Sequence, residues 1–404
     1  MVTLTRRQAF GALGGTALIL AAPAFAGVTL ADSAGGSDGS WDAAGYLYVN
    51  DNTKGANTVA GFARLADGRL VALPTSPCSI GGAGTGTGIG SQGAVQITRH
   101  GRLLLVADAG SNTISVLRIH ADGTLHRVDD SPFSSGGIQP VSIAVHDELV
   151  YVANAGGSVA SGIAGNYTGF TLTTAGGLHP LSDLTVTIPA GSAPGDIFFS
   201  PNGRRLVATR IATSLIDSFV VDDDGRLTKA PGSPFTAQGF GPFGSAFRPT
   251  NSEQLYVSNA HNAQGGAGAG TVSAYQVAGN GNLTALTGSP YADQQIAPCW
   301  LAITRDGRYL FVVNTASDSI SRYRVNGDGT LSLLGSTILT GGSGQGSLGA
   351  VELGFDRSGR TLYCLESKHR AVAALSVSGG SLSELSSSPF SLPNGATPFG
   401  LAVI

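Results

Sequence analysis

Two carboxylates and one arginine stand where they could carry out acid–base chemistry on a bound small molecule. Asp196 and Glu352 each come two residues into a segment expected to line a central channel, where an acid has no part in strand pairing. Arg210 ends the strand that follows Asp196 and is expected at the same rim. A carboxylate can activate water or move a proton, and a guanidinium can hold a carboxylate or polarise a carbonyl. These three residues form the predicted catalytic group, with a solvated polar funnel as the alternative.

Four further side chains are predicted to contact a ligand beside this group. Trp300 stands at the same strand position as Asp196, and the other three lie in loops expected around the same rim. The predicted substrate-binding residues are Trp300, His261, Glu366 and His369. The seven histidines show no close metal-ligand spacing, and the GxGxxG sequence at 344–349 precedes a strand rather than a helix. We therefore expect no metal, no dinucleotide and no other cofactor.

The elements that must position these residues belong to a repeat of about fifty residues. Each unit has an apolar strand, a D-G-R turn, a strand resembling LYVxN, a third strand, a D-G-x-L turn and a fourth strand ending near S-P-F. One glycine before the fourth strand marks every copy: Gly68, Gly123, Gly177, Gly225, Gly281, Gly329 and Gly380. Seven units without helical periodicity predict an all-β fold, a seven-bladed β-propeller with four antiparallel strands per blade.

The two ends of the repeat region predict how the ring closes. The first unit begins directly at its second strand, at 46–50, with no first strand before it. The last residues, 398–404, read as a first strand with nothing after it. We therefore expect the C-terminal strand to pair with the N-terminal blade, which would remove two open sheet edges.

Loop lengths distinguish the two faces of the predicted propeller. The first-to-second and third-to-fourth turns are short and repetitive, and they mark what we call the turn face. The second-to-third and fourth-to-first connections are long, glycine-rich and different in every blade, and they mark the loop face. Because length variation concentrates where function is carried, we expect a small-molecule site at the channel mouth on the loop face.

The N-terminal segment has the pattern of an export signal. Arg6 and Arg7 form a twin-arginine pair, an apolar run follows from 12 to 22, and Ala24-Phe25-Ala26 supplies a small-x-small cleavage site. We predict a twin-arginine signal peptide at 1–26, a linker at 27–40 and the propeller at 41–404. A retained N-terminal anchor is the alternative. The predicted location is the bacterial periplasm or exterior, with no membrane attachment after cleavage.

Composition narrows the partners. The net charge is −3 and only 12% of the residues are charged, so the chain has no electrostatic footprint for nucleic acid. Cys78, Cys299 and Cys364 make an odd count, consistent with free thiols or with one disulfide among the three. We expect a monomer with a small-molecule ligand.

The repeat resembles that of the lactonase family of seven-bladed propellers, which includes cytoplasmic 6-phosphogluconolactonases of some bacteria and carboxy-muconate lactonizing enzymes of fungi. Its most specific element is the stretch 196–204 followed by Thr209-Arg210, in which Asp196 stands for the family glutamate and Arg210 for its arginine. Two flanking family elements are absent. Val141 and Ile143 stand where the family has His-x-His, and Phe243 stands where it has a second arginine.

The resemblance implies an exported lactonase-like enzyme acting on a cyclic ester such as an unphosphorylated sugar-acid lactone. Arg210 would then hold the substrate carboxylate or polarise the lactone carbonyl, and Asp196 or Glu352 would activate water. Two alternatives stay open: a non-catalytic propeller that binds a glycan, peptide or protein through its loop face, and a muconate-type lactonizing cycloisomerase. The missing histidines favour the binding propeller, and the match at Asp196 and Arg210 favours an enzyme.

Overall fold

The computed structural model describes residues 42–260, 268–340, 349–393 and 397–404, with the side chains of 182 and 183 left aside. These residues form seven antiparallel sheets, and their only helix is a single 3-10 turn at Val159–Ser161. The all-β seven-bladed propeller is therefore confirmed. The predicted signal peptide (1–26), the predicted linker (27–40) and His261 lie outside the described residues.

The strands are short, and apart from the single 3-10 turn they are joined by turns and loops. In chain order they are β1 Gly45–Asn50, β2 Thr58–Arg64, β3 Leu70–Ala72, β4 Cys78–Ser79, β5 Val95–Ile97, β6 Leu103–Asp108, β7 Thr113–Ile119, β8 Leu125–Arg127, β9 Phe133–Ser134, β10 Pro140–His146, β11 Leu149–Asn154, β12 Gly165–Leu172, β13 Leu178–Ile188, β14 Pro194–Phe199, β15 Arg205–Arg210, β16 Leu215–Val221, β17 Leu227–Lys229, β18 Phe235–Thr236, β19 Pro242–Arg248, β20 Asn251–Asn259, β21 Thr271–Val277, β22 Leu283–Ala285, β23 Tyr291–Ala292, β24 Pro298–Ile303, β25 Tyr309–Asn314, β26 Ser319–Val325, β27 Leu331–Ile338, β28 Ala350–Phe355, β29 Thr361–Glu366, β30 Ala371–Ser378, β31 Ser381–Glu384, β32 Phe390–Ser391 and β33 Leu401–Val403.

Each sheet is one blade. Blade 1 holds β5–β9, blade 2 β10–β13, blade 3 β14–β18, blade 4 β19–β23, blade 5 β24–β27, blade 6 β28–β32, and blade 7 β33 with β1–β4. Five blades have five strands instead of the predicted four, because the fourth strand is divided into two pieces that both pair with the third. In blade 3, for example, Leu227 pairs with Val221, whereas Phe235 pairs with Ile216 further along the same strand.

The ring closes as predicted. The C-terminal strand β33 pairs antiparallel with β1, with Leu47 opposite Val403 and Val49 opposite Leu401. Blade 7 therefore takes its first strand from the C-terminus and its other strands from residues near the start of the propeller. Each second strand lies between the first and third strands of its own blade, and its side chains are buried against neighbouring blades.

A hydrogen bond that we call the tyrosine latch joins four pairs of neighbouring blades, and it uses four of the seven recurring turn glycines. In four blades a tyrosine of the second strand donates its hydroxyl hydrogen to the carbonyl of that glycine in the next blade, at 2.7 to 3.0 Å. The pairs are Tyr48 with Gly123, Tyr151 with Gly225, Tyr256 with Gly329 and Tyr363 with Gly68. At Gly123 φ is 81° and a Cβ would collide with the Tyr46 ring, so the turn requires glycine.

The three cysteines form no disulfide. Cys78 is half-buried, and Cys299 and Cys364 are buried. Burial raises the pKa of the Cys299 thiol to about 12, so this thiol stays protonated and packs as an apolar group. None of the helical structure in the described ranges is long and apolar enough to cross a membrane.

Candidate functional site

One loop closes the channel on the loop face. The connection from blade 7 to blade 1 turns inward, and its residues 89–93, which we call the channel plug, contact the first strands of blades across the ring. Ser91 donates its hydroxyl hydrogen to the Val141 carbonyl of blade 2 at 2.5 Å. The Ser91 carbonyl accepts a hydrogen bond from Trp300 Nε1 of blade 5 at 2.9 Å. The plug therefore ties opposite sides of the ring together.

Gln92 is the centre of the plug. Its side-chain Nε2 lies 3.0 Å from the Ser245 carbonyl and 3.4 Å from Asp196 Oδ2, and its Oε1 accepts a hydrogen bond from the Leu301 amide at 2.9 Å. Its backbone amide donates to the Gly195 carbonyl at 2.8 Å. A single side chain from blade 1 therefore bridges blades 3, 4 and 5 across the axis.

An aromatic cluster packs around the plug. The Trp300 ring centroid lies 4.6 Å from that of Phe243 and 6.1 Å from that of Phe399, and each residue stands near the loop-face end of a first strand. Trp300 is only 3% exposed. The structure therefore places this predicted ligand-contacting residue in the seal that closes the channel.

Below the plug the channel holds a cavity of about 550 Å³ that opens on the turn face. Its floor is formed by Gln92, Gly93, Asp196, Ser245 and Glu352, and its walls extend to Pro201 and Pro249, which are exposed turn residues. Among the described residues, the channel cavity thus opens on the turn face rather than at the expected mouth on the loop face. The physical reason is that the longest loop between blades, which carries the channel plug, fills the channel at the loop face.

Asp196 is fully buried in the floor of this channel cavity. Its Oδ2 accepts hydrogen bonds from the Ser245 amide at 2.9 Å and the Ser245 hydroxyl at 2.7 Å, and its Oδ1 accepts one from the Ser142 hydroxyl at 3.2 Å. Burial raises the pKa of Asp196 to about 7, although the hydrogen bonds from Ser245 and Ser142 act in the opposite direction. This carboxyl group can therefore exchange a proton near neutral pH.

Glu352 enters the same floor from blade 6. It is 6% exposed, and its Oε2 accepts a hydrogen bond from the Gly93 amide of the plug at 3.2 Å. Burial raises its pKa well above the ordinary value, and the charge of Asp196 raises it further, while the Gly93 amide lowers it. Because ionisation of Asp196 disfavours ionisation of Glu352, the two carboxyl groups lose their protons in separate steps, and this arrangement allows one to act as acid while the other acts as base.

The rest of the cavity lining is uncharged or apolar. Gln92, Gln96, Ser200 and Ser245 supply polar groups, and the remainder is mainly aliphatic and aromatic surface from seven first strands. His146 is the only lining residue of the described structure that can become cationic, since neither arginine nor lysine is among them.

Arg210 is held away from this cavity by an ion pair within blade 3. Its Nε and Nη2 each lie 2.5 Å from an oxygen of Asp217, and Tyr167 donates its hydroxyl hydrogen to the same carboxylate at 2.8 Å. Arg210 and Asp217 are both buried. The side chain does not line the channel cavity, so the structure brings Asp196 and Glu352 together without Arg210.

Comparison of the blades shows what the Arg210–Asp217 pair replaces. The second strand of blade 5 ends on Asn314, whose side-chain amide donates to the Ser321 hydroxyl at 2.9 Å. Asn259 with Ser273 and Asn154 with Thr168 form the same pair in blades 4 and 2. Arg210 and Asp217 occupy these two positions in blade 3, so their contact is a charged version of a repeated strand-to-strand bond.

Glu366 and His369 form a separate polar pair on the loop face. His369 Nδ1 lies 2.9 Å from Glu366 Oε2, with Glu366 buried and His369 32% exposed. Burial raises the pKa of Glu366, and the histidine lowers it. Neither residue lines the channel cavity. Across the described ranges, no group of three or more His, Cys, Asp or Glu side chains could hold a metal ion.

Gln92, Gly93 and Ser245 are the site residues that sequence reasoning missed. Gln92 and Gly93 lie in a loop outside the repeat, and the available signal for them is the unusual length of that loop. Ser245 stands three residues after Pro242, where the other blades have aliphatic residues, so the signal for it is a lone hydroxyl at an aliphatic position. Those residues are Val95, Ile143, Ile197, Leu301, Leu353 and Leu401.

Comparison with known proteins supports the fold and the resemblance. Residues 247–348, about a quarter of the chain, match the model of the family described as "Lactonase, 7-bladed beta-propeller", which confirms the predicted resemblance. No curated protein matches the chain.

Solved structures match over nearly the whole propeller. A candidate 6-phosphogluconolactonase of Bacteroides uniformis is 17% identical over 89% of this chain and 99% of its own, with a TM-score of 0.67. The periplasmic gluconolactonase PpgL of Pseudomonas aeruginosa is 16% identical with the same coverage and TM-score. A protein from Lactobacillus plantarum gives the same values as PpgL. At these identities the likeness shows the fold alone.

Proposed function

We propose that this chain is an exported lactonase-like enzyme that hydrolyses a small lactone in the channel cavity, which the substrate enters from the turn face. The observation that carries the proposal is the pair of buried carboxyl groups, Asp196 and Glu352, in the floor of a single cavity. The volume of about 550 Å³ lies within the range of small-molecule sites. The predicted export signal and the name of the structurally similar PpgL favour an unphosphorylated sugar-acid lactone.

The two carboxyl groups have complementary roles in this mechanism. Protonated Glu352, whose pKa is raised by burial and by the charge of Asp196, donates a hydrogen bond to the lactone carbonyl and stabilises the negative charge that develops on its oxygen. Ionised Asp196 takes a proton from the attacking water as the new C–O bond forms. The ring C–O bond then breaks, the ring oxygen receives the proton from Asp196, and the product is an open hydroxy acid.

The lining favours a lactone whose ring portion is uncharged. A phosphate or carboxylate placed on this floor would be repelled by ionised Asp196, and no arginine or lysine of the described lining would compensate its charge. Polar side chains such as Gln96 and Ser245 suit the hydroxyl groups of a sugar lactone. The same argument disfavours a muconate-type cycloisomerase, because its substrate would bring carboxylates to this floor.

A non-catalytic binding propeller is the second candidate. The observation that favours it is the hydrogen bonding of Asp196, whose two oxygens already receive bonds from Ser142, Ser245 and Gln92. A carboxylate held in this way also serves to lock adjacent blades. In that case the cavity would bind a small molecule without converting it.

A lactone panel separates the two candidates. We expect the purified protein to hydrolyse at least one γ- or δ-lactone in a pH-indicator assay well above the spontaneous rate. Asp196→Asn and Glu352→Ala should each lower kcat by about 100-fold or more, since the first removes the base and the second removes the hydrogen-bond donor to the lactone carbonyl. Asp223→Asn, which changes an exposed turn carboxylate, serves as the control. Absence of turnover over the whole panel would leave the binding propeller, and full activity in both site variants would show that groups other than Asp196 and Glu352 carry the hydrolysis.

A further inference from the structure

The outer end of the channel carries positive charge. A depression of about 440 Å³ on the turn face shares Ile97, Pro249, Ile303 and Val403 with the channel cavity, so it is the outer part of the same channel. Three exposed arginines line it: Arg99, Arg305 and Arg357. We call these three residues the arginine rim.

The arginine rim follows from one position of the repeat. Each of the three residues is the second residue of a first-to-second turn, in Thr98-Arg99, Thr304-Arg305 and Asp356-Arg357. The corresponding residues of blades 2, 3 and 4 are Asp147, Pro201 and Pro249. Because these turns surround the channel axis, side chains at this position surround the mouth. The positive charge therefore comes from blades 1, 5 and 6.

Two of the three guanidinium groups have no acidic partner. Within the described ranges, neither Arg305 nor Arg357 lies within 4.0 Å of a carboxylate oxygen. Asp356, which precedes Arg357 and also lines the depression, lies 3.6 Å from Arg64, and Asp306, which follows Arg305, lies 3.6 Å from Arg308. Arg99 lies 3.7 Å from Asp147, and because both side chains are more than half exposed this pair is weak. The rim therefore keeps net positive charge available to a ligand.

Charge is arranged in opposite senses at the two ends of the channel. The floor carries ionised Asp196 beside protonated Glu352, and an anion placed there would be repelled by Asp196. The mouth carries unpaired guanidinium groups, which bind carboxylates through paired hydrogen bonds and draw anions toward the opening. A lactone with an anionic group at the end remote from its ring would therefore be drawn in and oriented ring first.

We propose that Arg305 and Arg357, assisted by Arg99, select lactones that carry a carboxylate on the side remote from the ester, of the kind derived from sugar diacids. This inference rests on the proposed function and narrows its substrate class. The rim attracts the carboxylate and leads the uncharged ring toward the floor. Because the rim residues take no part in proton transfer, they are expected to change KM rather than kcat.

The test compares two lactones that differ only at the remote carbon. D-Glucaro-1,4-lactone carries a carboxylate there, and D-glucono-1,4-lactone carries a hydroxymethyl group. We expect kcat/KM for the first to exceed that for the second by about tenfold at low salt, and the difference to shrink as sodium chloride is added. The double variant Arg305→Gln, Arg357→Gln should raise KM for the acidic lactone about tenfold and leave the neutral lactone unchanged.

The control removes the same two charges elsewhere. Arg226→Gln with Lys229→Gln changes exposed residues of blade 3 that line neither part of the channel, and it should leave both substrates unaffected. Equal kcat/KM values for the two lactones, or an equal loss with both double variants, would overturn the rim while leaving the lactonase in place. If neither lactone is hydrolysed, calorimetry with D-glucarate decides. Binding that the rim variant weakens supports the rim in a non-catalytic propeller, and absence of binding overturns it.

Discussion

The side-chain oxygen of Gln92 lies where a side chain at Gly244 would begin. A Cβ built on Gly244 would collide with Gln92 Oε1 and would stand 2.7 Å from the Cys299 carbonyl oxygen. The missing side chain of blade 4 therefore leaves the space through which Gln92 reaches the Leu301 amide of blade 5. Closure of the channel depends on this glycine as much as on the plug.

Replacing Gly244 with alanine should therefore displace the plug. Neither neighbour of the new methyl group can yield easily, because one is backbone and the other is held by three blades. We expect Gly244→Ala to lower the free energy of unfolding by about 1–3 kcal/mol in denaturant titration. Gly279→Ala is the matched control, since a Cβ there meets nothing within 4 Å. Equal free energies of unfolding for the two variants would show that the channel plug can move to accept the methyl group without loss of stability.

Arg210 and Asp217 should behave as a structural pair. Arg210→Ala leaves the Asp217 carboxylate buried without its cation, which we expect to cost about 3–5 kcal/mol of unfolding free energy. The double variant Arg210→Asn, Asp217→Ser recreates the pair that Asn314 and Ser321 form in blade 5, and should recover most of that loss. Denaturant titration of the single and the double variant measures the loss of unfolding free energy and its recovery. If the double variant were as unstable as Arg210→Ala, the Arg210–Asp217 pair would not be equivalent to the strand-to-strand bond of the other blades.

The strands and ring closure could be predicted because their signals are local. A five-residue apolar run predicts a buried strand wherever it occurs, and a chain that ends on a first strand has one blade available to pair with. Four of the seven turn glycines are local signals of the same kind, since the tyrosine latch bonds to the backbone carbonyl of each of these four. The missed division of the fourth strand is a local detail that the S-P-F sequence itself marks.

The candidate site was only partly predictable because its contacts join residues remote in sequence. Asp196 and Glu352 were recognised, since a carboxylate in a channel-lining strand stands out. The plug was missed because Gly93 meets Glu352 at a separation of 259 residues, which no local pattern records. Arg210 was assigned to catalysis by resemblance, whereas its blade position gives it the partner Asp217. Its equivalence to Asn314 can be read from the sequence once the blades are aligned.

Stability should fall as pH rises from 5 to 8. Burial raises the pKa of Asp196 to about 7, and burial also raises the pKa values of Asp51, Asp108 and Asp293 to about 6. Each group stays protonated in the folded chain at pH values where the unfolded chain has already ionised. The stabilisation is therefore complete below pH 4 and is lost as pH passes through the folded pKa.

The expected size of this effect is at least about 2 kcal/mol between pH 5 and pH 8, seen as a fall of several degrees in Tm by calorimetry. Asp196→Asn removes the group with the highest of these pKa values and should flatten the curve between pH 6 and 8. Asp223→Asn, at an exposed site, should leave its slope unchanged. A Tm that rises over this interval would contradict the raised pKa values.

The pH dependence of activity should report the same pair. If ionised Asp196 is the base and protonated Glu352 the acid, kcat/KM rises as the pair loses its first proton near pH 7 and falls when it loses the second.

Ser245→Ala removes the hydroxyl that donates to Asp196 Oδ2 at 2.7 Å and favours the ionised form of that carboxyl group. Its acidic limb should therefore move to higher pH, with kcat/KM several-fold lower at pH 7 and little changed at pH 9. Ser218→Ala in blade 3 removes an equally short and buried hydroxyl bond, to the Gly281 carbonyl of blade 4, and controls for a general loss of packing. If the acidic limbs of the pH profiles of the two serine variants were identical, the observed activity would not depend on the ionisation of Asp196.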